Sequence, residues 1–382
     1  INVNRMAETF MELVRIDSVS REESRLAAYL QRQLESLGAD TVFDGSAAQT
    51  GSDTGNLIAR INGSGGKAPL LFSAHMDTVE PGRGINPVLK DGRITSDGTT
   101  ILGADDKSAI AILLEILRVL KESGKSHPPM EFVFSTCEEI GLVGAKHLDW
   151  SLISARQGYV LDTRDPEGLV TRAPSANRLK FTVVGRDAHA GSAPEKGINA
   201  ILIAAQAIAK LELGRIDSET TCNLGVINGG DAINIVPKKV QVDGEVRSHD
   251  DRKLTDVTQR MIDAFETAAT SYPSQDDSDL PYVTVDVHPD FKRTHIPENH
   301  AVVQMAFAAA KRLKRPITLQ VAGGGSDANV FFQRGIMTGV LGTGMTDVHS
   351  VREYIDLADM VKACEMVLEV TAIYQESSDP VN

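Results

Sequence analysis

The chain has 382 residues, 42% of them hydrophobic and 24% charged, the proportions of an ordinary globular protein, which argues against long disordered, collagenous or low-complexity segments. At roughly 150 residues per domain the length leaves room for two or three domains. Lys and Arg number 39 against 52 Asp and Glu, a net charge of -13 without any basic block, so nucleic acid and anionic membrane are poor candidates for the main partner.

The opening segment, INVNRMAETFMELVRIDSVS, is amphipathic and charged throughout rather than built like a signal peptide, so a cytoplasmic protein is expected, with residues upstream of Ile1. Met6, Phe10, Leu13 and Val14 recur at helical spacing and predict a helix from Asn2 to Arg15. A second helix is expected from Glu22 to Leu37, stopped by Gly38. NLIARI and PLLFSAHMDTV read as strands, and the intervening NGSGGKA reads as a hairpin turn. It is not a phosphate loop, because no helix follows its glycines. KSAIAILLEILRVLKESG is a long helix, and MEFVFSTCEEIG (130–141) and GYVLDT (158–163) have the apolar run of buried strands. Strands alternating with helices indicate an α/β fold with a central mixed sheet.

After TRAPSAN the pattern changes to strand, helix, strand, strand, helix, strand: LKFTVVGRDAH, INAILIAAQAIAKLEL, TTCNLGVINGG, KKVQVDGEVRSH, LTDVTQRMIDAFETAAT and YVTVDVHPDF. That order is the ferredoxin-like split βαβ. The helix AVVQMAFAAAKRLK and the strand GIMTGVLGTG then return to the first style. The expected organisation is therefore a discontinuous domain of 1–173 and 294–382, interrupted by a smaller α+β domain of 174–293.

Several polar residues fall where the apolar runs end. His75 and Asp77 stand two apart at the end of LLFSAHMDTV, a spacing that puts both on one face of a strand. Alone, His75 reads rather as a hydrogen-bonded structural histidine. Asp105, Asp106 and Lys107 precede the long helix, where acidic residues are ordinary capping elements. Glu138 and Glu139 are harder to dismiss, because adjacent carboxylates at the end of a buried strand repel unless a cation binds them. Asp162 closes the next strand, and His349 follows a later one. Two histidines and three carboxylates form a hard N/O set suited to zinc, cobalt or manganese, and ligand sites in open α/β sheets gather at the carboxyl ends of strands. The cysteines, Cys137, Cys222 and Cys364, are far apart without a C-x-x-C pair, which supports neither disulfides nor a thiolate metal site and fits a reducing compartment. Cys137 has no histidine at a matched spacing to make it a nucleophile. Trp150 is assigned to the core.

HMDTV, GADDK, STCEEIG, the Asp of VLDT and the late GMTDVHS resemble, in order and spacing, the five motifs of the co-catalytic zinc exopeptidase family that contains peptidase T, carboxypeptidase G and aminoacylase-1. The resemblance covers essentially the whole chain and implies a zinc-binding catalytic domain interrupted by a lid and dimerisation domain. It implies two divalent ions, zinc or else cobalt or manganese: Asp105 bridging both, His75 and Asp162 completing one site, Glu139 and His349 the other. Glu138 would be the general base acting on a metal-activated water, and Asp77 the residue that orients His75. An Asp at position 162, where some relatives carry Glu, leans towards the peptidase T branch.

In the same family the histidine matched by His189, in GRDAHAGSAPEKG, reaches the partner subunit's active site to stabilise the oxyanion, so a homodimer is implied. Asn234 and Arg247 match positions that hold substrate polar groups, a guanidinium being suited to a peptide carboxylate. Gly324, in GGGSDAN, matches a loop lining the substrate cleft, and Ser326 or Asp327 there also reads as a helix N-cap. The expected activity is release of the N-terminal residue of small peptides, tripeptides above all. A carboxypeptidase or N-acyl amino acid amidohydrolase of the same family is the nearer alternative, and a non-catalytic peptide- or metal-binding protein the remote one.

Overall fold

The computed structural model describes residues 1–273 and 279–377. Helix α1 (Val3–Val14) starts where the Asn2 side chain accepts the Arg5 amide at 3.1 Å, satisfying one of the free N–H groups of a helix start. There follow α2 (Ser24–Ser36), β1 (Asp40–Phe43), α3 (Ala47–Thr50), β2 (Leu57–Ile61), β3 (Leu70–His75), β4 (Val88–Lys90), β5 (Arg93–Thr95), α4 (Ala104–Ser123), β6 (Met130–Ser135), α5 (Val143–Lys146), β7 (Gln157–Thr163) and β8 (Gly168–Ala173). The middle of the chain forms β9 (Ser175–Val184), α6 (Ala200–Ile208), β10 (Gly214–Arg215), β11 (Thr220–Gly229), β12 (Lys239–Ser248), α7 (Asp251–Thr270) and β13 (Tyr282–Phe291). The last part forms β14 (Thr294–His295), α8 (Ala301–Leu313), β15 (Thr318–Val321), α9 (Asp327–Gln333), β16 (Met337–Gly342), β17 (Tyr354–Asp356) and α10 (Leu357–Glu376). By contacts the chain divides into two compact units, one of Ile1–Arg172, Thr294–Ala322 and Ser326–Asn382, the other of Ala173–Arg293 with Gly323–Gly325.

The first unit is built on a mixed sheet ordered β1-β2-β6-β3-β7-β16-β8-β14, with β15 beside β8. Strands β6, β3, β7 and β16 run parallel, so their carboxyl ends share one edge. Every residue of β3 and β6 is buried, which is why these strands read as largely apolar runs rather than as alternating ones, with Ser73 and Glu131 the polar residues inside them. Phe72 stacks against Phe132 at 5.9 Å and Tyr159 at 6.3 Å, tying the three central strands together. Each such ring contributes ~1.5–3 kcal/mol by burial. Helix α4 is buried on almost all sides because α1, α10 and the sheet enclose it, which explains why its middle, Ala109 to Leu114, shows no polar face.

One expectation fails here. NGSGGKA is not a hairpin turn: β6 lies between β2 and β3, so the segment crosses over the start of β6. The Ser64 amide donates to His127 O at 2.9 Å, and a Cβ on Gly63 would come within 2.1 Å of Pro128. Gly63 thus serves a close backbone crossing, which local sequence does not distinguish from a turn. Trp150 is also less central than expected, being half-buried with its ring edge-on to Phe331 at 5.8 Å.

The second unit is an antiparallel sheet, β10-β11-β12-β9-β13, with α6 and α7 packed on one face, the ferredoxin-like arrangement the element order implies. Leu179, Phe181, Val183, Val240, Val242 and Val246 point to the helices, Phe181 stacking on Phe265 at 4.0 Å. Lys180, Asp243 and Glu245 alternate with them on the open face. Helix α6 stops at Ile208, several residues before the expected end of its apolar pattern. Among the described residues no helix is long and apolar enough to cross a membrane.

Candidate active site

The carboxyl edge of the parallel strands carries the chemistry. Strand β3 ends on His75, whose Nε2 lies 3.0 Å from Asp105 Oδ1. Its Nδ1 faces the Asp77 carbonyl oxygen at 2.9 Å and the Asp77 carboxylate at 3.5 Å, contacts that fix the ring plane. Asp77 is fully buried and does more than the sequence suggested. Its carboxylate accepts the amides of Glu138 at 2.9 Å and Glu139 at 3.2 Å and the Ser20 hydroxyl at 2.6 Å, so one side chain sets both His75 and the glutamate pair.

The glutamates stand three and four residues beyond the end of β6, in a turn rather than on the strand. Cys137 takes a positive φ of 54°, and the amides of Gly141 and Leu142 donate back to the Glu138 carbonyl at 2.9 and 2.7 Å. Asn56 braces the turn by accepting from the Thr136 amide at 3.0 Å and donating to Gly144 O at 2.9 Å. A Cβ on Gly144 would lie 2.1 Å from the Thr136 oxygen, so only glycine fits. The Cys137 thiol is buried against Glu23, and burial pushes its pKa up to about 12, the opposite of an activated nucleophile.

Asp105 lies at the start of α4 with extended angles (φ -83°, ψ 102°), not in a regular first turn, so it faces the histidines instead of capping the helix. His349 Nε2 lies 3.3 Å from Asp105 Oδ2 and 3.0 Å from Glu139 Oε1. Asp162, half-buried near the end of β7, completes the cluster. Among the described residues two sets bring their donor atoms within 4.8 Å of one another: His75, Asp105 and Asp162; and Asp105, Glu139 and His349. Asp105 belongs to both.

The electrostatics show why this group is short of positive charge. Burial, and then the neighbouring carboxylates, hold the Glu138 and Asp162 carboxyls well above the ordinary range. Burial also acts on Asp105, but hydrogen bonds from His349 and His75 outweigh it and keep its carboxyl low. The same hydrogen bonds to Asp105 and Glu139 push His349 up to about 10. Hard oxygen and imidazole donors, too many carboxylates for two imidazoles to balance, and buried unpaired oxygens on Asp106 and Asp327 all fit divalent cations.

Two buried acids were not singled out for such a place by the sequence reading. Ser326 is the N-cap of α9, boxed with Asn329, while Asp327 turns to Ser135 at the end of β6. Glu353, four residues after His349, accepts the amides of Leu102 and Gly103 just ahead of α4 and of Asp105 in its first turn. In the second unit His189 is exposed, its Nδ1 accepting the amides of Gly191 and Ser192 at 3.1 and 3.2 Å. Asn234 is on the adjacent loop, where its carbonyl accepts the Ala190 amide at 2.9 Å. Arg247 pairs with Glu245 at 3.0 Å, its buried Nε is unpaired, and a Cβ on Gly324 would lie 3.3 Å from its Nη1. His189 and Asn234 are thus brought together, as are Arg247 and Gly324.

This fold and this cluster fit a metal-dependent peptidase. A family model described as peptidase dimerisation domain matches residues 174–273, and one for peptidase family M28 matches residues 56–156. The crystal structure of aminopeptidase PepT from Bacillus cereus is 41% identical, covering 97% of this chain and 98% of that one, with a TM-score of 0.86. A tripeptidase structure from Staphylococcus aureus is 36% identical, covering 99% and 100%, with a TM-score of 0.92. Peptidase T of Clostridium perfringens is 27% identical over 98% of this chain and 100% of its own length. The chain belongs to the M20 family of peptidases, in its peptidase T group. It is a metallopeptidase that hydrolyses peptide bonds in small peptides.

Proposed function

We propose that the enzyme releases the N-terminal residue of tripeptides with two divalent ions, zinc by preference, held by His75, Asp105 and Asp162 and by Asp105, Glu139 and His349. The observation that carries this reading is the membership of Asp105 in both donor sets. Ions held so would polarise the scissile carbonyl and bring the pKa of a water towards ~7. Glu138, buried beside this cluster and absent from both donor sets, takes the proton and passes it to the departing amine. Asp77 keeps the His75 ring and the Glu138 amide in register. Arg247 grips the peptide's terminal carboxylate, with Asn234 and the backbone at Gly324 as further polar contacts. The three unpaired cysteines favour a reducing compartment, the cytoplasm.

A panel of di- and tripeptides with free or blocked ends tests the polarity. Free tripeptides are expected to lose their first residue, N-acetylation to abolish cleavage, and Arg247→Ala to raise KM more than it lowers kcat. Preference for acetylated substrates would move the enzyme to the amidohydrolase or carboxypeptidase reading.

The match to a dimerisation domain supports a homodimer, and His189 is the residue we assign to the second copy's reaction. Co-expressing inactive Glu138→Gln chains with inactive His189→Ala chains is expected to restore part of the activity. No complementation would place His189 in its own subunit's reaction, in a monomer or in a dimer where it acts in cis.

A further inference from the structure

The loops that deliver Asp105 and His349 come from opposite ends of the chain, yet Glu353 joins them. Its side chain is almost completely buried, and both of its oxygens are used: Oε2 accepts the amides of Leu102 at 2.7 Å and Gly103 at 2.8 Å, and Oε1 accepts that of Asp105 at 3.1 Å. Those amides are available because α4 begins irregularly. Gly103 is left-handed (φ 75°), Asp105 is extended, and no side chain of the helix's own N-cap satisfies the first turn. A carboxylate is the acceptor that a helix N-terminus favours most.

At its other end Glu353 is tied to His349. Its amide donates to Ser350 O at 3.0 Å, and Thr346 and Tyr354 exchange two backbone hydrogen bonds of 3.0 Å that close the loop between them. Within that loop His349 has φ 59°, a left-handed conformation uncommon outside glycine, which the surrounding bonds must hold in place. Tyr354 then enters β17, paired with β5. We infer that Glu353 is a positioning residue that locks the His349 loop to the Asp105 loop, so that two ligands of one proposed metal group arrive as a preset unit. This rests on the two-ion reading of the site, and it gives Glu353 the part that outer partners of metal ligands play elsewhere.

The test separates this part from plain structural support. Glu131 is a matched control: it too is buried and accepts amides, from Ser154 at 3.0 Å and Ala155 at 2.9 Å, but towards the other end of β6. The full chain and its Glu353→Gln and Glu131→Gln variants are stripped of metal and titrated with zinc alone against a competing chelator, with thermal unfolding of the stripped proteins recorded alongside. Both variants are expected to unfold at lower temperature, but only Glu353→Gln should bind zinc ~10–100-fold more weakly. Glu353→Asp, which keeps the charge and withdraws it by one methylene, should show a smaller loss and serves if the Gln variant does not fold. Unchanged zinc affinity in the Glu353 variants, beside two ions on the unsubstituted protein, overturns the positioning role and leaves the two-ion reading standing. No zinc on the unsubstituted protein overturns both.

Discussion

Glu138→Gln is expected to lower kcat by roughly 10²- to 10⁴-fold while leaving the bound ions in place, the effect of removing a general base but keeping its shape. Glu138 is absent from both donor sets, whereas its neighbour Glu139 lies 3.0 Å from His349. The two amides share one anchor, the Asp77 carboxylate, so the turn directs adjacent side chains to different tasks. Glu139→Gln should therefore weaken metal binding first and lose activity as a consequence. Metal analysis beside kcat on a tripeptide distinguishes them: loss of ions from the Glu138 variant with retention in the Glu139 variant would show that the two roles are exchanged.

Asp105→Asn is expected to be the most damaging ligand change, because the other ligands each belong to one set and Asp105 belongs to both. Affinity for both ions should fall by more than the roughly 10–100-fold typical of an outer partner, with activity lost at ordinary metal concentrations. Asp162→Asn should spare the set formed with Glu139 and His349. A variant at Asp105 that still binds one ion as tightly as the unsubstituted protein would contradict the shared role.

Much of this site was legible because the buried strands announce themselves. LLFSAH and MEFVFS are largely apolar without alternation, so the polar residues at and beyond their ends stand out: His75 and Asp77 at one, Glu138 and Glu139 after the other, the glutamate pair being the stronger signal. Asp105 was not separable from a helix cap by sequence, since its irregular backbone angles depend on amides that a carboxylate some 250 residues later accepts. Glu353 itself carried no local signal, because its partners are backbone groups rather than side chains at a recognisable spacing. The crossing at Gly63 looks like a turn in the sequence for a related reason: a hairpin turn and a close approach to Pro128 ask for the same residue. Helix α10 has no clear periodic stripe in the sequence, because it packs against α8, α4 and β17 in turn, which spreads its apolar residues over several faces. In the second unit the alternation of β9 and β12 was plain, and the element order alone gave the topology.

The two-ion reading of the site rests on Asp105 serving both donor sets. The most direct measurement is the number of divalent ions retained per chain after saturation with zinc and removal of the excess. Two His and three carboxylates exceed what a single tetrahedral zinc takes up, so two ions per chain are expected. A reproducible content of one, or of none, would contradict it.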